Sequence, residues 1–198
     1  MEYFLYKIRV EANKKHKGNF LRTFFKERKQ VGALAPSSKY LVKKMCDKID
    51  FSTARNIIEL GPGTGVFTEE LLKRAAPNCR IFVIELNEAF YSFLKDKFKD
   101  PRIILLCESA DRLDDILEDH GVHEVDAILS SLPLAVIPDK IRKRIIIKSY
   151  DVLRAGGVFV QYQYSLNAKK LLELKFGKLQ LGFVAVNIPP AFVYLGTK

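Results

Sequence analysis

Three glycines and two carboxylates in the first half of the chain have the spacing of a ligand site. The run Glu59-Leu60-Gly61-Pro62-Gly63-Thr64-Gly65 follows a short apolar stretch and precedes an amphipathic helix pattern that begins at Val66. A glycine turn between a strand and a helix lets a ligand approach backbone N–H groups at the helix N-terminus. Glu85 closes the next apolar stretch. Because parallel strands end at one edge of a sheet, the sequence predicts both carboxylates and the glycine turn around one ligand.

The glycine spacing is G-x-G-x-G, with Val66 where a dinucleotide fingerprint would have its third glycine. It resembles the first two motifs of class I S-adenosylmethionine (SAM)-dependent methyltransferases. The resemblance implies SAM as cofactor, with the turn against its methionine end, the first carboxylate near its amine and the second on its ribose hydroxyls. The residues so implied are Glu59, Gly61, Gly63, Gly65, Glu85 and Leu86. An ordinary strand–helix turn is the alternative, and three glycines between two placed carboxylates argue against it.

Two further strand ends complete the implied cofactor and acceptor site. Ser109 and Ala110 follow the third predicted strand, where the resemblance implies a contact with the adenine; Ser109 stands where many of these enzymes have Asp. The segment Ser130-Ser131-Leu132-Pro133-Leu134 follows the fourth, and the resemblance places it beside the transferred methyl group, with Ser130 also at the cofactor. Enzymes that methylate exocyclic base amines usually have Asn or Asp here, then Pro and an aromatic that stacks on the flipped base.

Here the first of these positions is serine and the last is leucine, which favours an aliphatic or lipid head group over a nucleobase as the acceptor. A loop stiffened by Pro133, without chemistry, is the alternative. The next strand ends in Gln161-Tyr162-Gln163-Tyr164, which is unusual for a strand covered on both faces. Tyrosine rings can flank a cationic amine, and their hydroxyls can bond a phosphate; ordinary packing is the alternative. The residues expected to orient the acceptor amine are Ser130, Leu132 through its carbonyl, Tyr162 and Tyr164.

Strand and helix patterns alternate from residue 55 onward, which predicts βαβ units and a parallel sheet. The predicted strands are 55–60, 80–85, 102–107, 125–130 and 157–163, followed by 179–185 and 191–196 as a hairpin-like edge. The predicted helices are one capped by Ser37 or Ser38 that runs to about Ile49, then 65–76, 88–99, 111–120 and 138–153, the last ended by Gly156-Gly157. We therefore expect an α/β, Rossmann-like class I methyltransferase fold, with a seven-stranded, mostly parallel sheet flanked by helices.

Positive charge is concentrated at the start of the chain. The 198 residues carry a net charge of +10; residues 1–50 hold thirteen Lys/Arg against five Asp/Glu, and the remaining 148 hold twenty against eighteen. A basic front end on a near-neutral domain predicts an anionic partner, either a lipid surface or nucleic acid. No apolar run approaches the roughly 18 residues of a membrane span. The three cysteines and three histidines lack metal-binding or catalytic spacing, so we expect no metal and reduced thiols in a cytosol.

Residues 14–30 predict one basic amphipathic helix. Its residues expected to contact a membrane are Phe20, Arg22, Phe24, Phe25, Lys26, Arg28 and Lys29. Phenylalanines grouped on a basic helix favour binding at an anionic membrane surface over a merely solvated face. We accordingly divide the chain into a basic N-terminal helical extension, 1–50, and a SAM-dependent methyltransferase domain, 51–198.

The chain as a whole resembles the bacterial phospholipid N-methyltransferases. The segments that carry the likeness are Phe20-Leu21-Arg22, Gln30 to Ser38, Glu59 to Thr68, Ser130 to Leu134, Gly156-Gly157, Gln161 to Tyr164 and Asn187 to Ala191. The resemblance implies methyl transfer from SAM to the head-group amine of phosphatidylethanolamine or a similar aminophospholipid. It also implies a peripheral protein on the inner face of the cytoplasmic membrane, with an anionic membrane surface as partner.

Two alternative functions remain open at this point. A methyltransferase resembling the ribosomal RNA adenine dimethylases would use the basic N-terminus on phosphates, although the missing Asn-Pro-aromatic signature counts against nucleic acid. A catalytically silent SAM-binding protein would keep the fold without the reaction. Neither the number of methyl groups transferred nor the oligomeric state follows from the sequence.

Overall fold

A seven-stranded sheet forms the centre of the computed structural model, which describes residues 37–198. The strands are β1 Asn56–Leu60, β2 Arg80–Ile84, β3 Ile103–Leu106, β4 Val125–Ser130, β5 Leu153–Gln163, β6 Gln180–Val184 and β7 Ala191–Thr197. The α-helices are α1 Lys39–Cys46, α2 Val66–Arg74, α3 Glu88–Lys97, α4 Leu113–Asp119, α5 Asp139–Val152 and α6 Lys169–Phe176, with a 3-10 turn at Ala110–Arg112. The strand order is β3-β2-β1-β4-β5-β7-β6, and β7 runs antiparallel to both of its neighbours. This is the predicted Rossmann-like sheet with its hairpin edge.

The central strands are buried on both faces, as the continuous apolar runs require. Ile57 and Leu129 point towards the layer that contains α1 and α2, whereas Ile58, Ile128 and Phe159 point towards the layer that contains α4, α5 and α6. All five side chains are 1% exposed or less. From β1 the strand order runs outward through β2 to β3, and the chain then returns to the other side of β1 to form β4. Such sheets bind ligands where the order reverses in this way, here at the carboxyl ends of β1 and β4.

Helix α1 belongs to the core of this unit. Ser38 caps it, as predicted, by accepting a hydrogen bond from the Leu41 N–H at 3.3 Å. Leu41 and Met45 are fully buried against the layer of α2. Residues 39–46, which the sequence assigned to the N-terminal extension, therefore pack with the sheet. The predicted helix 14–30 and its membrane-contacting residues lie outside the described residues.

The structure corrects the prediction for Gly156-Gly157, which do not end the fourth crossover helix. Helix α5 ends at Val152, and both glycines lie in the irregular first part of β5, where its register against β4 shifts. Gly156 has φ +74° and donates its N–H to the Lys198 carbonyl, while a Cβ on Gly157 would lie 2.9 Å from the Arg154 carbonyl oxygen. The pair thus serves a bulge, a role that glycine also supplies.

Other differences concern helix ends and one missed helix. Helix α1 ends three residues before the predicted Ile49, and α2 and α3 also end slightly earlier than predicted. Helix α6 ends at Phe176 and is followed by Gly177, its C-cap, with φ +68°. It has no counterpart among the predicted helices. Of the helices in residues 37–198, none combines the length and apolar character that crossing a membrane requires.

Gly65 has a packing role that is separate from ligand binding. It is the N-cap of α2 at φ +79°, and a Cβ there would lie 2.5 Å from Phe98 Cε2 and 2.8 Å from Leu94 Cδ2. Leu94 is fully buried, so this contact cannot relax freely.

We predict that Gly65→Ala lowers the free energy of unfolding by about 2–5 kcal/mol, because a backbone cost of about 1–2 kcal/mol and an overpacking cost of about 1–3 kcal/mol add. Gly121→Ala is the matched control: Gly121 has φ +63° with open space at its Cβ position, so only the backbone cost applies. Urea unfolding of both variants measures the difference. Equal losses would contradict the packing role of Gly65.

Candidate cofactor and acceptor site

Backbone hydrogen bonds bring three strand ends to one place. The Gly61 N–H donates to the Ile84 carbonyl at 3.0 Å, and the Ser131 N–H donates to the Leu60 carbonyl at 2.8 Å. These bonds continue the β1–β2 and β1–β4 ladders one residue past the strands. The glycine turn, the end of β2 and the loop after β4 therefore share the carboxyl edge of the sheet, as predicted.

Gly61 and Gly63 have different surroundings within the turn. A Cβ on Gly61 would lie 3.0 Å from Leu132 Cδ2, so this glycine allows the loop after β4 to approach. At Gly63, with φ +57°, no described atom lies within 4 Å of the Cβ position. The backbone at Gly63 is thus left open for a ligand, and its N–H lies within the reach of Glu85.

Glu85 joins the end of β2 to the glycine turn. One carboxylate oxygen accepts the Gly63 N–H at 3.3 Å and the other accepts the Asn87 N–H at 2.8 Å. The side chain is 5% exposed, and burial raises the pKa of its carboxyl group above the ordinary value despite N–H groups of Asn87, Gly63 and Leu86 that lower it. Leu86 itself is half-buried. Each carboxylate oxygen keeps accepting capacity for a hydroxyl of a bound diol.

Glu59 is a fully buried carboxyl group on the α2 side of the sheet. The Thr68 hydroxyl donates to its Oε2 at 2.6 Å, whereas Oε1 has no partner among the described residues. The pKa of Glu59 is raised to about 8: burial, the largest cause, and the charge of Glu85 raise it, while the hydrogen bond from Thr68 lowers it. A buried acceptor oxygen without a partner is rare in proteins and calls for a donor or a cation.

Ser109, which is predicted to contact the adenine, has its hydroxyl hydrogen-bonded to a neighbouring side chain. The Ser109 hydroxyl donates to the Asp111 carboxylate, which also pairs with Arg144 of α5. Ala110 is 7% exposed and begins the 3-10 turn. Ser109 and Ala110 thus lie at the carboxyl end of β3 as predicted, and their contact with adenine stays a prediction.

The loop after β4 is held by two glutamine side chains of β5. The Leu132 carbonyl accepts hydrogen bonds from Gln161 Nε2 at 3.1 Å and from Gln163 Nε2 at 2.8 Å. Ser130 is fully buried, and its hydroxyl accepts the Leu132 N–H at 3.4 Å. The Leu132 carbonyl, predicted to orient the acceptor, therefore already accepts three bonds, since the Leu134 N–H also donates to it at 2.9 Å, and this geometry favours a role in fixing the loop.

Tyr162, in β5, and Tyr164, just after the strand, occupy different environments. Tyr162 is 6% exposed, and its ring stacks on Phe67 of α2 with centroids 6.0 Å apart, so its position favours the packing alternative. Tyr164 is 37% exposed and makes an edge contact with Tyr162 at 5.7 Å. Of the predicted pair, Tyr164 is the one within reach of a ligand from solvent.

Sequence reasoning did not assign roles to three residues of the site. Thr68 carries the hydrogen bond to Glu59, and Gln161 with Gln163 holds Leu132. Thr68 could have been found, because a hydroxyl in the first turn after the glycines lies above the end of β1. The glutamines were noted as unusual, but their target follows only from the register between β4 and β5.

Residues 24–148 match the ribosomal RNA adenine dimethylase family. The chain belongs to this family of class I SAM-dependent methyltransferases. It is also 30% identical over 177 residues to the ornithine lipid N-methyltransferase of Singulisphaera acidiphila, a match that covers 88% of the chain and 92% of that protein. Ribosomal RNA small subunit methyltransferase A of Sulfurihydrogenibium sp. is 38% identical over 74 residues, which are 37% of the chain and 28% of that protein.

Solved methyltransferase structures share the fold. The 1,6-didemethyltoxoflavin-N1-methyltransferase of Burkholderia thailandensis, solved with S-adenosylhomocysteine, superposes with a TM-score of 0.68 at 14% identity and covers 93% of the chain and 89% of its own. The precorrin-6y C5,15-methyltransferase of Geobacter metallireducens gives 0.66 at 18% identity, covering 81% and 89%. At these identities the likeness establishes the fold alone.

The site of this methyltransferase fits SAM. The Oε1 of Glu59, which has no partner within the described part of the chain, suits the methionine ammonium. The open backbone at Gly63 suits close approach of the methionine end, and Glu85 has capacity for both ribose hydroxyls. SAM supplies an activated methyl group on a sulfonium. The chain's own residues then have to bind, orient and desolvate the acceptor.

We predict that Gly63→Ala weakens SAM binding at least tenfold, because the added methyl group fills the open approach to the backbone. Gly121→Ala again serves as control, since it has a similar φ and an equally open Cβ position away from the glycine turn. Isothermal titration with SAM measures both. The prediction fails if the two variants lose the same small amount of affinity.

The raised pKa of Glu59 predicts a pH-dependent stability. A carboxyl group with a raised folded-state pKa stabilises the fold fully below its ordinary pKa, and this contribution is lost as pH rises through about 8. Without SAM, the unfolding free energy should therefore fall between pH 5 and 8, by at most about 1.4 kcal/mol per pH unit for one proton. Glu59→Gln should flatten this fall, and the remainder should reflect Glu85, whose pKa is also raised.

Urea unfolding at several pH values, with and without SAM, checks the role of Glu59. SAM should flatten the wild-type profile as well, because a bound ammonium favours the ionised carboxylate. Identical profiles for wild type and Glu59→Gln would rule out Glu59 as the titrating group.

Proposed function

We propose that the chain transfers methyl groups from SAM to the primary amine of an aminolipid head group. The observation that carries this proposal is the extent of the two likenesses. The ornithine lipid N-methyltransferase matches 88% of the chain, whereas the ribosomal RNA enzyme of Sulfurihydrogenibium matches 37%. The likeness to the lipid enzyme thus extends well beyond a shared cofactor-binding segment, into the parts that have to recognise the acceptor.

The loop after β4 supports an acceptor that is not a nucleobase. Leu134 stands where base-methylating enzymes usually carry a stacking aromatic, and it is fully buried in the layer of α4 and α5. Its N–H donates to the Leu132 carbonyl at 2.9 Å, and its carbonyl accepts from Arg142 at 2.9 Å. A side chain held in the core in this way offers no face to a flipped base.

The same loop is suited to a small amine. Gln161 and Gln163 fix its backbone, and Ser131 has a buried hydroxyl without a partner among the described residues. A hydroxyl oxygen can accept a hydrogen bond from an amine N–H. With Tyr164, the exposed aromatic that directly follows Gln163, the edge provides one acceptor and one ring for an alkylammonium group.

The chemical task of the protein is to obtain the neutral amine. An alkylammonium that resembles lysine has a pKa of about 10.4, so only about 0.04% is neutral at pH 7. Loss of water beside Ser130, which is fully buried, disfavours the charged form. The proton then leaves towards solvent, and the nitrogen lone pair bonds the methyl carbon as its bond to sulfur breaks. Holding the amine in line supplies much of the acceleration.

Phosphatidylethanolamine and ornithine lipids share the chemistry that the site would recognise. Both present a primary amine at the surface of a bilayer, and the sequence favours the phosphatidylethanolamine type of head group. An acceptor of this kind places the enzyme at the inner face of the cytoplasmic membrane, with anionic lipid as the partner of its basic N-terminus. This location is part of the proposal.

RNA is the second candidate acceptor. The family match over residues 24–148 and the likeness to ribosomal RNA enzymes favour it. The basic residues 1–50 would then bind phosphates, with a steep dependence on salt. The buried Leu134 counts against this candidate.

A radiolabelled-SAM assay with the full chain decides between the acceptors. It offers anionic vesicles with phosphatidylethanolamine, anionic vesicles with an ornithine lipid, and ribosomal RNA in parallel. We expect label in the organic extract of at least one lipid sample. Glu85→Gln should reduce kcat/KM about ten- to a hundredfold, because a hydrogen bond to a charged group is worth about 1.5–3 kcal/mol.

Glu118→Gln is the control for that variant, since Glu118 is exposed on α4. It should retain full activity. Label in RNA alone would overturn the lipid proposal in favour of the second candidate, and label in neither lipid nor RNA would overturn both.

A further inference from the structure

The loop between β6 and β7, residues 185–190, buries a polar side chain and exposes its apolar neighbours. Asn187 is 3% exposed, whereas Val186 and Ile188 on either side are 60% and 78% exposed. We call residues 185–190 the edge loop. The usual preference is the reverse, because aliphatic side chains are favoured inside and amides outside. Such an inversion indicates that the two aliphatic side chains serve a contact outside this unit.

Asn187 fixes this arrangement through both ends of its amide. Its Oδ1 accepts the Ser38 N–H at 3.0 Å, and its Nδ2 donates to the Pro189 carbonyl at 2.7 Å. A buried amide with both groups satisfied is a specific anchor. The outward position of Val186 and Ile188 is therefore set by the fold.

The edge loop lies at the side of the sheet that holds the site. Strand β5 runs parallel to β4, and its last residue, Gln163, pairs with Phe192 of β7. Val184 and Ala191 form the next pair outward, so the loop that joins them extends beyond the carboxyl ends of the parallel strands. A lipid amine has to enter at this edge.

Basic residues flank the edge loop. Helix α1, joined to the loop through Ser38, presents Lys39, which is exposed, and Lys44, whose ammonium donates to the Phe183 carbonyl at 3.2 Å. Phe183 on the edge strand is 51% exposed and extends the apolar surface. Apolar tips with basic neighbours are complementary to an anionic lipid surface.

We propose that the edge loop inserts Val186 and Ile188 into the bilayer that carries the acceptor lipid. The inference rests on the proposed lipid methylation, because a lipid acceptor requires the carboxyl edge to face a membrane. Insertion here orients that edge towards the head groups and adds a contact separate from the basic N-terminus.

The absence of tryptophan from the sequence allows a direct test. Ile188→Trp introduces a single tryptophan, whose emission can be excited selectively, into the edge loop. Leu174→Trp is the matched control, because Leu174 is 84% exposed on α6, beside Lys175, which pairs with Asp151 at the end of α5. Each full-length variant is mixed with vesicles of phosphatidylglycerol and phosphatidylethanolamine, with or without brominated acyl chains.

We expect the emission of Ile188→Trp to shift to the blue and to be quenched by brominated chains, while that of Leu174→Trp changes little. Ile188→Asp should partition onto vesicles about tenfold more weakly, and Leu174→Asp as wild type, because only the former exposes a charge to the acyl region. Retained SAM binding shows that each variant is folded.

Two outcomes would overturn the proposal. Vesicle binding without quenching of Ile188→Trp would mean that another surface contacts the bilayer. Emission that is already blue-shifted without vesicles, and unchanged by them, would mean that residues 1–36 or a second copy cover the loop. Lipid methylation without quenching of Ile188→Trp would refute the insertion of the edge loop and leave the proposed function standing. Quenching without methylation of any lipid would refute the proposed function and leave the insertion standing.

Discussion

Two carboxyl groups buried at the carboxyl edge of an apolar sheet impose the main constraint on this structure. Charged groups removed from water are costly, and each must gain partners or lose its charge. Glu85 gains backbone N–H groups from the glycine turn and from Asn87, while among residues 37–198 Glu59 gains only the Thr68 hydroxyl and one of its oxygens has no partner. The fold without cofactor thus holds Glu59 in an environment that a cation would improve, and binding of SAM would supply that cation.

The position of the loop after β4 depends on β5 as much as on the loop's own residues. Both glutamine bonds to the Leu132 carbonyl cross from one strand to the loop of its neighbour, 29 and 31 residues away in sequence. A change at Gln161 or Gln163 would therefore move the loop after β4 while leaving the cofactor motifs unaltered.

The sequence predicted the parts of the fold that depend on local pattern. Continuous apolar runs identified the five parallel strands, and the glycine turn with Glu59 and Glu85 identified the cofactor edge. What it missed depends on long-range register or on conformations shared by several structures. Gly156-Gly157 suit a helix end and a bulge equally well, and α6 is short, with Leu174 exposed against the helical pattern. The burial of Tyr162 follows from its pairing to Val193, which no local signal reveals.

The family match and the proposed acceptor concern different parts of the chain. The match ends at residue 148, within α5, so it contains the glycine turn, both carboxylates and the loop after β4. The groups that hold this loop and extend the edge beyond it, from Gln161 to Ile188, lie after the match ends. Cofactor binding can stay constant across a family while the last three strands change which molecule reaches the methyl group. In this chain those strands place glutamines against the loop and aliphatic side chains at the edge of the sheet, which supports the proposal of a small amine delivered from an apolar surface.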